Sequence, residues 1–252
     1  MIFRVLGPLE VLSGECQVMI APRERVILAA LLISANQVVP VARLADAIWG
    51  STPPQTSRGQ VQIGVSTLRR LFASAGIPSR ILTSAPGYSI RIAKDDLDLN
   101  HFDQLVAEGR RALTRDRPGE ATELFRAALS LWRGAPLGNV VSAAVESSAA
   151  QLSERRLTVL EQTIELELEL GRAQDLIGEL MGLVAEHPLR ERFHRQLMTA
   201  LLYTGRRADV LAAYRNARRT FIQELGLEPG DGLQKLLHAA LTDAAVEPSM
   251  TP

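Results

Sequence analysis

Ser57-Arg58-Gly59-Gln60-Val61-Gln62-Ile63-Gly64-Val65-Ser66-Thr67-Leu68-Arg69-Arg70-Leu71-Phe72 is the stretch on which the fold of this chain turns. Projected as a helix, Val61, Val65, Leu68 and Phe72 fall within about 60° of one another, the stripe of a helix packed on a core. The opposite face presents Gly59, Ile63, Ser66, Thr67 and Arg70. Arg58, Gln62 and Arg69 follow one border, and Gln60 lies toward the other. This inventory suits a DNA major groove: Arg can fork onto guanine, Gln onto adenine, and Ile63 or the Thr67 methyl can touch a thymine methyl. Border cations are placed for phosphates, which position a helix but carry no sequence information. Thr56 or Ser57 can cap the start, and the pattern predicts a helix to about Ser74. Gly64 costs ~1 kcal/mol relative to Ala in a helix interior. A solvated amphipathic helix has the same composition, so the flanks must decide.

The flanks carry an uneven charge. The chain holds 28 basic and 28 acidic residues, a formal net charge of zero. Residues 1–97 have 10 basic and 6 acidic side chains, whereas residues 98–252 have 18 and 22. The 48 residues Ala47–Lys94 contain no Asp or Glu, yet include Arg58, Arg69, Arg70, Arg80, Arg91 and Lys94. A one-sign block inside a neutral chain is the footprint a polyanion partner requires.

Around the helix the pattern is mixed. Residues 1–20 alternate apolar and polar types about Gly7-Pro8 and Ser13-Gly14, as short antiparallel strands do. Pro22 suits a first helical position, Val26–Ala35 is almost wholly apolar, and Asn36 can end that helix. A second helix is expected over Val41–Trp49, with Leu44 and Ile48 on one face and Gly50 as its stop. Ser51–Gln55, with Pro53-Pro54, is a loop. Ile81-Leu82-Thr83 and Tyr88-Ser89-Ile90-Arg91-Ile92 form a hairpin across Pro86-Gly87. Strands, three helices and a hairpin make a winged helix, whose third helix reads DNA. The hairpin is then the wing, with Arg80 and Tyr88 as backbone or minor-groove contacts; Tyr88 as a core residue of the small sheet is the other reading.

Beyond Asp98 the period becomes 3.6 and stays there. Phe102, Leu105, Val106, Ala112 and Leu113 share one stripe, and helices are expected at about 119–132, 140–170, 172–186, 190–204, 206–225 and 232–242. Gly171-Arg172-Ala173 and Gly205-Arg206-Arg207-Ala208 mark similar breaks 34 residues apart, the tetratricopeptide period, with a looser copy at Gly119-Glu120-Ala121. Stacked helical hairpins follow, because one hairpin cannot bury its apolar face alone. The expected architecture is mainly α with two domains: a winged helix-turn-helix (α+β) over 1–97 and a tetratricopeptide-like all-α domain over 98–243. A disordered tail is expected over 244–252.

Other function classes find little support. The lone Cys16 supplies neither a disulfide framework nor a cysteine-cluster zinc site. His101, His187, His194 and His238 lie far apart, without metal-ligand spacing. Glu161, Glu165, Glu167 and Glu169 read as a solvated helix face. No phosphate loop, dinucleotide fingerprint or nucleophile elbow occurs, so no enzyme, cofactor or metal is expected. No apolar run approaches the ~18 residues of a spanning helix, and the start lacks a signal-peptide pattern. A cytoplasmic protein without a membrane partner is expected. A repeat scaffold whose winged helix binds protein, and a DNA-binding repressor, remain open alternatives.

Several segments resemble one family. Phe3-Arg4-Val5-Leu6-Gly7-Pro8-Leu9-Glu10-Val11, Pro22-Arg23-Glu24-Arg25-Val26, Leu44-Ala45-Asp46-Ala47-Ile48-Trp49-Gly50, Val65-Ser66-Thr67-Leu68-Arg69-Arg70 and Pro86-Gly87-Tyr88 resemble the OmpR-like winged helix of the Streptomyces antibiotic regulatory protein family. His187-Pro188-Leu189-Arg190-Glu191-Arg192 and Glu224-Leu225-Gly226-Leu227-Glu228-Pro229-Gly230 are similar to the bacterial transcriptional activation domain that follows it. The resemblance covers about residues 2–242. It implies an activator of secondary-metabolite genes that binds direct repeats beside the promoter −35 element as a homodimer on double-stranded DNA. It further implies that the third helix enters the major groove and that the hairpin with Tyr88 is the wing, so the residues read above as DNA contacts are Ser57, Arg58, Gln60, Gln62, Ile63, Ser66, Thr67, Arg69, Arg70, Arg80 and Tyr88. Gly50, Ser51, Thr52, Pro53, Pro54 and Gln55 take the place of the loop that contacts RNA polymerase holoenzyme. Gly64 and Thr67 depart from the family, which often has a bulky aromatic or an arginine in this helix.

Overall fold

Pro22 opens the first helix, because its φ is already helical and the N–H it lacks is one the first turn leaves unbonded. In the computed structural model, which describes residues 2–78 and 80–242, this helix is α1 (Pro22–Ile33), followed by α2 (Val41–Trp49) and α3 (Ser57–Ser74). The three pack on one another in every pairing. α1 buries Val26, Ile27, Leu28, Ala29, Leu31 and Leu32, and α3 meets it with Val61, Val65, Leu68 and Phe72. All four members of the expected α3 stripe are therefore interior.

Two small antiparallel sheets flank these helices. The first has the order β1 (Phe3–Arg4), β2 (Glu10–Ser13), β3 (Cys16–Gln17). Phe3 lies edge-on to Phe72 with ring centroids 5.8 Å apart, joining this sheet to α3. The second pairs β4 (Val39–Pro40) and β5 (Ile81–Ser84) on either side of β6 (Gly87–Ile90). β4 is absent from the sequence reading, because two residues ending in proline carry no period. Gly87 is required there: a Cβ would overlap the Val39 carbonyl and lie 2.7 Å from Pro40 Cα. Asn36 takes the left-handed φ of +65° and exchanges side-chain hydrogen bonds with Ile92 N–H (2.9 Å) and C=O (3.2 Å), tying the end of α1 to the hairpin.

The chain forms two compact units, and the first runs past residue 97. It comprises residues up to Arg111 together with Glu123–Leu157. Asp98, at the start of α4 (Asp98–Leu113), accepts the N–H groups of Val5 and Leu6. After α5 (Pro118–Leu129), the segment from Trp132 to Ser142 straps the N-terminal elements. Arg133 N–H reaches Leu6 C=O (2.8 Å), and Leu137 N–H reaches Gly7 C=O (2.6 Å). The Asn139 amide exchanges two bonds with Leu9, at 2.7 and 3.1 Å, and Ser142 Oγ donates to Ala47 C=O at 2.6 Å. Ser142 also accepts Val145 N–H at 3.5 Å, so the long helix α6 (Ala143–Glu169) begins three residues after the expected start.

The second unit, Ala112–Thr122 and Thr158 onward, holds the end of α6, then α7 (Ala173–Glu186), α8 (Glu191–Tyr203), α9 (Arg207–Leu225) and α10 (Asp231–Thr242). α8 packs on α7 and on α9, and α10 packs on α8 and α9. The two glycine breaks are structurally equivalent. Gly171 (φ +78°) and Gly205 (φ +72°) are both left-handed. Each is followed by an N–H bonded to a carbonyl five residues back, Arg172 to Glu167 and Arg206 to Leu201. This is the six-to-one bond of a Schellman cap. The looser copy has the same cap (Arg117 N–H to Ala112 C=O), but its left-handed residue is Asp116, not Gly119.

Of the four glutamates expected on a solvated face only Glu169 is exposed, and Glu165 is half-buried. Glu161 is 6% exposed and Glu167 is buried as well. Glu161 pairs with Arg190 and with Arg192 (3.6 Å), and Glu165 pairs with Arg195 (2.8 Å) and accepts from Gln196 (3.1 Å). The carboxylates hold the arginines of the His187–Arg192 motif and the start of α8. Glu191 of that motif meets the second one: its Oε2 accepts Gly230 N–H at 3.4 Å, and a Cβ on Gly230 would lie 2.6 Å from Oε1, so a side chain there would push the carboxylate aside. The tail expected over 244–252 lies outside the described residues.

Candidate nucleic-acid interface

With Val61, Val65, Leu68 and Phe72 buried, α3 turns a fixed set of side chains to solvent. Arg58, Gly59, Gln62, Ile63, Ser66 and Arg70 are exposed, Ser57, Gln60 and Thr67 are half-buried, and Ile63 is 67% exposed amid its polar neighbours. Arg70 Nη2 lies 3.5 Å from Thr67 Oγ1 and keeps its other donors. No acidic residue occupies the first turn. The face therefore offers guanidinium, amide, hydroxyl and apolar groups along one helix side, the mixture that base edges in a major groove call for.

Three expected contacts are placed differently. Arg69 points to the hairpin: its Nε donates to Ile81 C=O and its Nη2 to Thr83 Oγ1, both at 3.0 Å, and its guanidinium stands 5.8 Å over the Tyr88 ring. It is a brace between α3 and the wing. Tyr88 itself is 7% exposed, inside the small sheet and not on the wing's outer face. In an alternating hairpin its neighbours would be expected to point outward, yet β4 covers β6 on its other edge, and all four β6 residues are buried. Arg80 forms an ion pair with Asp96, two residues beyond the acid-free block, so its charge is matched internally. The exposed cations of the hairpin region are Arg91 and Lys94.

Gly64 belongs to the core side of α3, not to the reading face. A Cβ there would come within 2.5 Å of Ile27 Cδ1, so its departure from the family concerns how closely α3 approaches α1. Gln60 is bonded at both ends of its amide: Oε1 accepts from Arg23 Nη1 and Nε2 donates to Thr56 Oγ1, each at 2.9 Å. Sequence reasoning missed Arg23, because its partner lies 37 residues away and no periodicity links them. Gly50, Ser51, Thr52, Pro53, Pro54 and Gln55 are all exposed, with Gly50 left-handed at φ +67° to leave α2. Among the described residues no cluster of His, Cys, Asp or Glu is arranged to hold a metal, and no helix is long and apolar enough to cross a membrane.

Comparison with known proteins bears on both halves. A family described as "Transcriptional regulatory protein, C terminal" matches residues 15–90, and one described as "Bacterial transcriptional activator domain" matches residues 97–241. Regulatory protein DnrI of Streptomyces peucetius is 37% identical over 246 residues, 94% of this chain and 90% of that protein. Transcriptional regulatory protein MoaR1 of Mycobacterium tuberculosis is 36% identical over 244 residues, 95% of this chain and 78% of that protein. Regulatory protein AfsR of Streptomyces coelicolor is 35% identical over 93% of this chain, which spans only 23% of AfsR. A solved structure of Mycobacterium tuberculosis EmbR in complex with a low-affinity phosphopeptide has a TM-score of 0.91 at 34% identity, covering 98% of this chain and 66% of that one.

Proposed function

Because the chain belongs to the Streptomyces antibiotic regulatory protein family of transcriptional regulators, with an OmpR-like winged helix and a bacterial transcriptional activator domain, we propose that it activates transcription by reading duplex DNA with α3. The observation that carries this reading is the exposed face of α3, where Arg58, Gln62, Ile63, Ser66, Thr67 and Arg70 stand opposite a fully buried stripe. Arg70, Gln62 and Ile63 meet base edges. Ser57, Arg58, Arg91 and Lys94 meet phosphates. Arg69 holds the wing against the reading helix.

The function divides at residue 97, with DNA contact before it and protomer or polymerase contact after it. Two copies bind tandem direct repeats beside the −35 element of a secondary-metabolite promoter, in the cytoplasm, as head-to-tail protomers; a direct repeat lacks the two-fold symmetry of a palindrome. The loop Gly50–Gln55 contacts RNA polymerase holoenzyme. Two tandem modules raise the effective concentration of the second binding event.

The test is a footprint of the full chain on the promoters of its own gene neighbourhood, followed by transcription in vitro with holoenzyme. Protection of two repeats, and stimulation lost on replacing Ser51–Gln55 while the footprint remains, is the expected result. A palindromic footprint, or stimulation indifferent to the loop, contradicts it.

A further inference from the structure

Arg23 is the second residue of α1, exposed, and separated by 37 residues from its partner on α3. Two contacts fix its guanidinium. Nη1 donates to Gln60 Oε1 at 2.9 Å, and Cζ stands 5.4 Å from the ring centroid of Trp49, the last residue of α2. Arg23 thus joins the start of α1, the end of α2 and the first turn of α3. Among the described residues neither Arg23 nor Arg58 forms an ion pair, although the Glu24 carboxylate lies near α3, 3.9 Å from where a Cβ on Gly64 would stand. A guanidinium has five donors in a rigid fork, and one is engaged by Gln60. Arg23 is otherwise exposed, as is Arg58 in the first turn of α3. Gln60 is tied in turn, its Nε2 given to Thr56 Oγ1. Forking onto adenine uses both ends of the amide, and each end already holds an intramolecular partner that fixes its orientation.

We infer that Arg23 binds a DNA phosphate beside the N-terminal turn of α3, and that Gln60 positions Arg23 and does not read a base. The inference rests on the proposed reading of DNA by α3. Gln60 thereby leaves the base-reading set, and α1 supplies a DNA-backbone contact of its own. Trp49 supplies the aromatic face on which the guanidinium lies, an arrangement suited to Arg and not to Lys.

The experiment uses the full chain and two duplexes, one selected from random sequence by the wild-type protein and one of unselected sequence. Affinity is measured across a salt series. Arg23→Ala should weaken binding to both duplexes by the same factor, about tenfold, and reduce the slope of log affinity against log salt by about one unit. Arg23→Lys should keep the slope and recover part of the affinity. Gln60→Ala should weaken both duplexes alike, leaving the ratio between them unchanged. An unaltered salt slope in Arg23→Ala overturns the phosphate contact. A fall in the ratio on Gln60→Ala, with relaxed preference at one base position, overturns the assignment of Gln60. Failure of the wild-type protein to select any duplex would instead remove the underlying reading by α3.

Discussion

Both carboxylate oxygens of Asp98 accept the backbone N–H of Val5, at 2.8 and 2.9 Å, and one of them also accepts that of Leu6 at 3.0 Å, across more than 90 residues of chain. Asp98 is 2% exposed. A buried acceptor that satisfies buried donors cannot be deleted without leaving those donors unbonded. Asp98→Ala should therefore cost about 2–4 kcal/mol of stability, since two N–H groups and a buried site are left unsatisfied. Thermal or urea unfolding of the full chain reads this directly, and a cost under about 0.5 kcal/mol would place it among ordinary surface substitutions.

The same contacts bear on truncation. A fragment of residues 1–97 keeps the buried Val26–Ala35 helix and so looks autonomous from sequence, but it lacks Asp98 and the strap from Arg133 to Ser142. It should unfold without a cooperative transition, or with a much lower melting temperature than a fragment of residues 1–157. Circular dichroism melts of the two fragments decide the matter. Equal melting temperatures would show the strap to be dispensable.

Gly64 sets the distance between α3 and α1. Gly64→Ala gains up to ~1 kcal/mol of helix propensity, but its methyl would meet Ile27 Cδ1 at 2.5 Å. Overpacking costs ~1–3 kcal/mol, so the net change should be a loss. Adding Ile27→Val removes the crowded methyl and should recover most of it. A double-mutant cycle in urea checks this; simple additivity of the two substitutions would mean that they do not touch.

Arg69 and Arg70 should separate by phenotype. Arg70→Ala should cost ~1–3 kcal/mol on the selected DNA and relax preference at one base position. Arg69→Ala removes two hydrogen bonds and the Tyr88 contact that hold the hairpin. It should destabilise the protein by about 1–2 kcal/mol and weaken binding to all sequences without altering preference. Unfolding curves and binding to a panel of single-base variants distinguish the two.

His194 gives the second unit a pH dependence. Its Nε2 lies 2.8 Å from the Pro188 carbonyl oxygen, which only accepts, so Nε2 carries the proton. Burial holds its pKa below the ordinary 6.5, against the opposing influence of that bond and of nearby Glu191. Below pH 6.5 the unfolded chain takes up protons that the folded form resists, so stability is present above 6.5 and is lost as pH falls toward the lowered value. His194→Gln should flatten the dependence of melting temperature on pH through this window. An unchanged profile would assign it to other groups.

The sequence shows the winged helix most clearly where periodicity is long. Eighteen residues of α3 carry a stripe that survives intact, and the helices after Asp98 lie within a few residues of their expected positions. Shorter or longer-range features were not legible. β4 is two residues long and exists because β6 pairs with it. Tyr88 shares the composition of a wing tip, and its burial depends on that pairing and on Arg69. The glutamates of α6 follow the spacing of a solvated face, but their partners Arg190, Arg192 and Arg195 come from a segment about 30 residues on. Arg80 was counted as a free cation because Asp96 lies just outside the acid-free block. Charge composition counts ions; pairing decides which of them can reach a partner.

The claim that α3 is a sequence-reading helix is tested most directly by one ratio, the affinity of the full chain for its selected duplex over that for unselected DNA, measured at about 0.15 M salt for the wild type and for Arg70→Ala. Specific binders hold this ratio at ~10³ or more. The account predicts a wild-type ratio of that order, reduced about 10- to 100-fold in Arg70→Ala as base discrimination is lost. A wild-type ratio near one, or a ratio untouched by Arg70→Ala, Gln62→Ala and Ile63→Ala together, would contradict it.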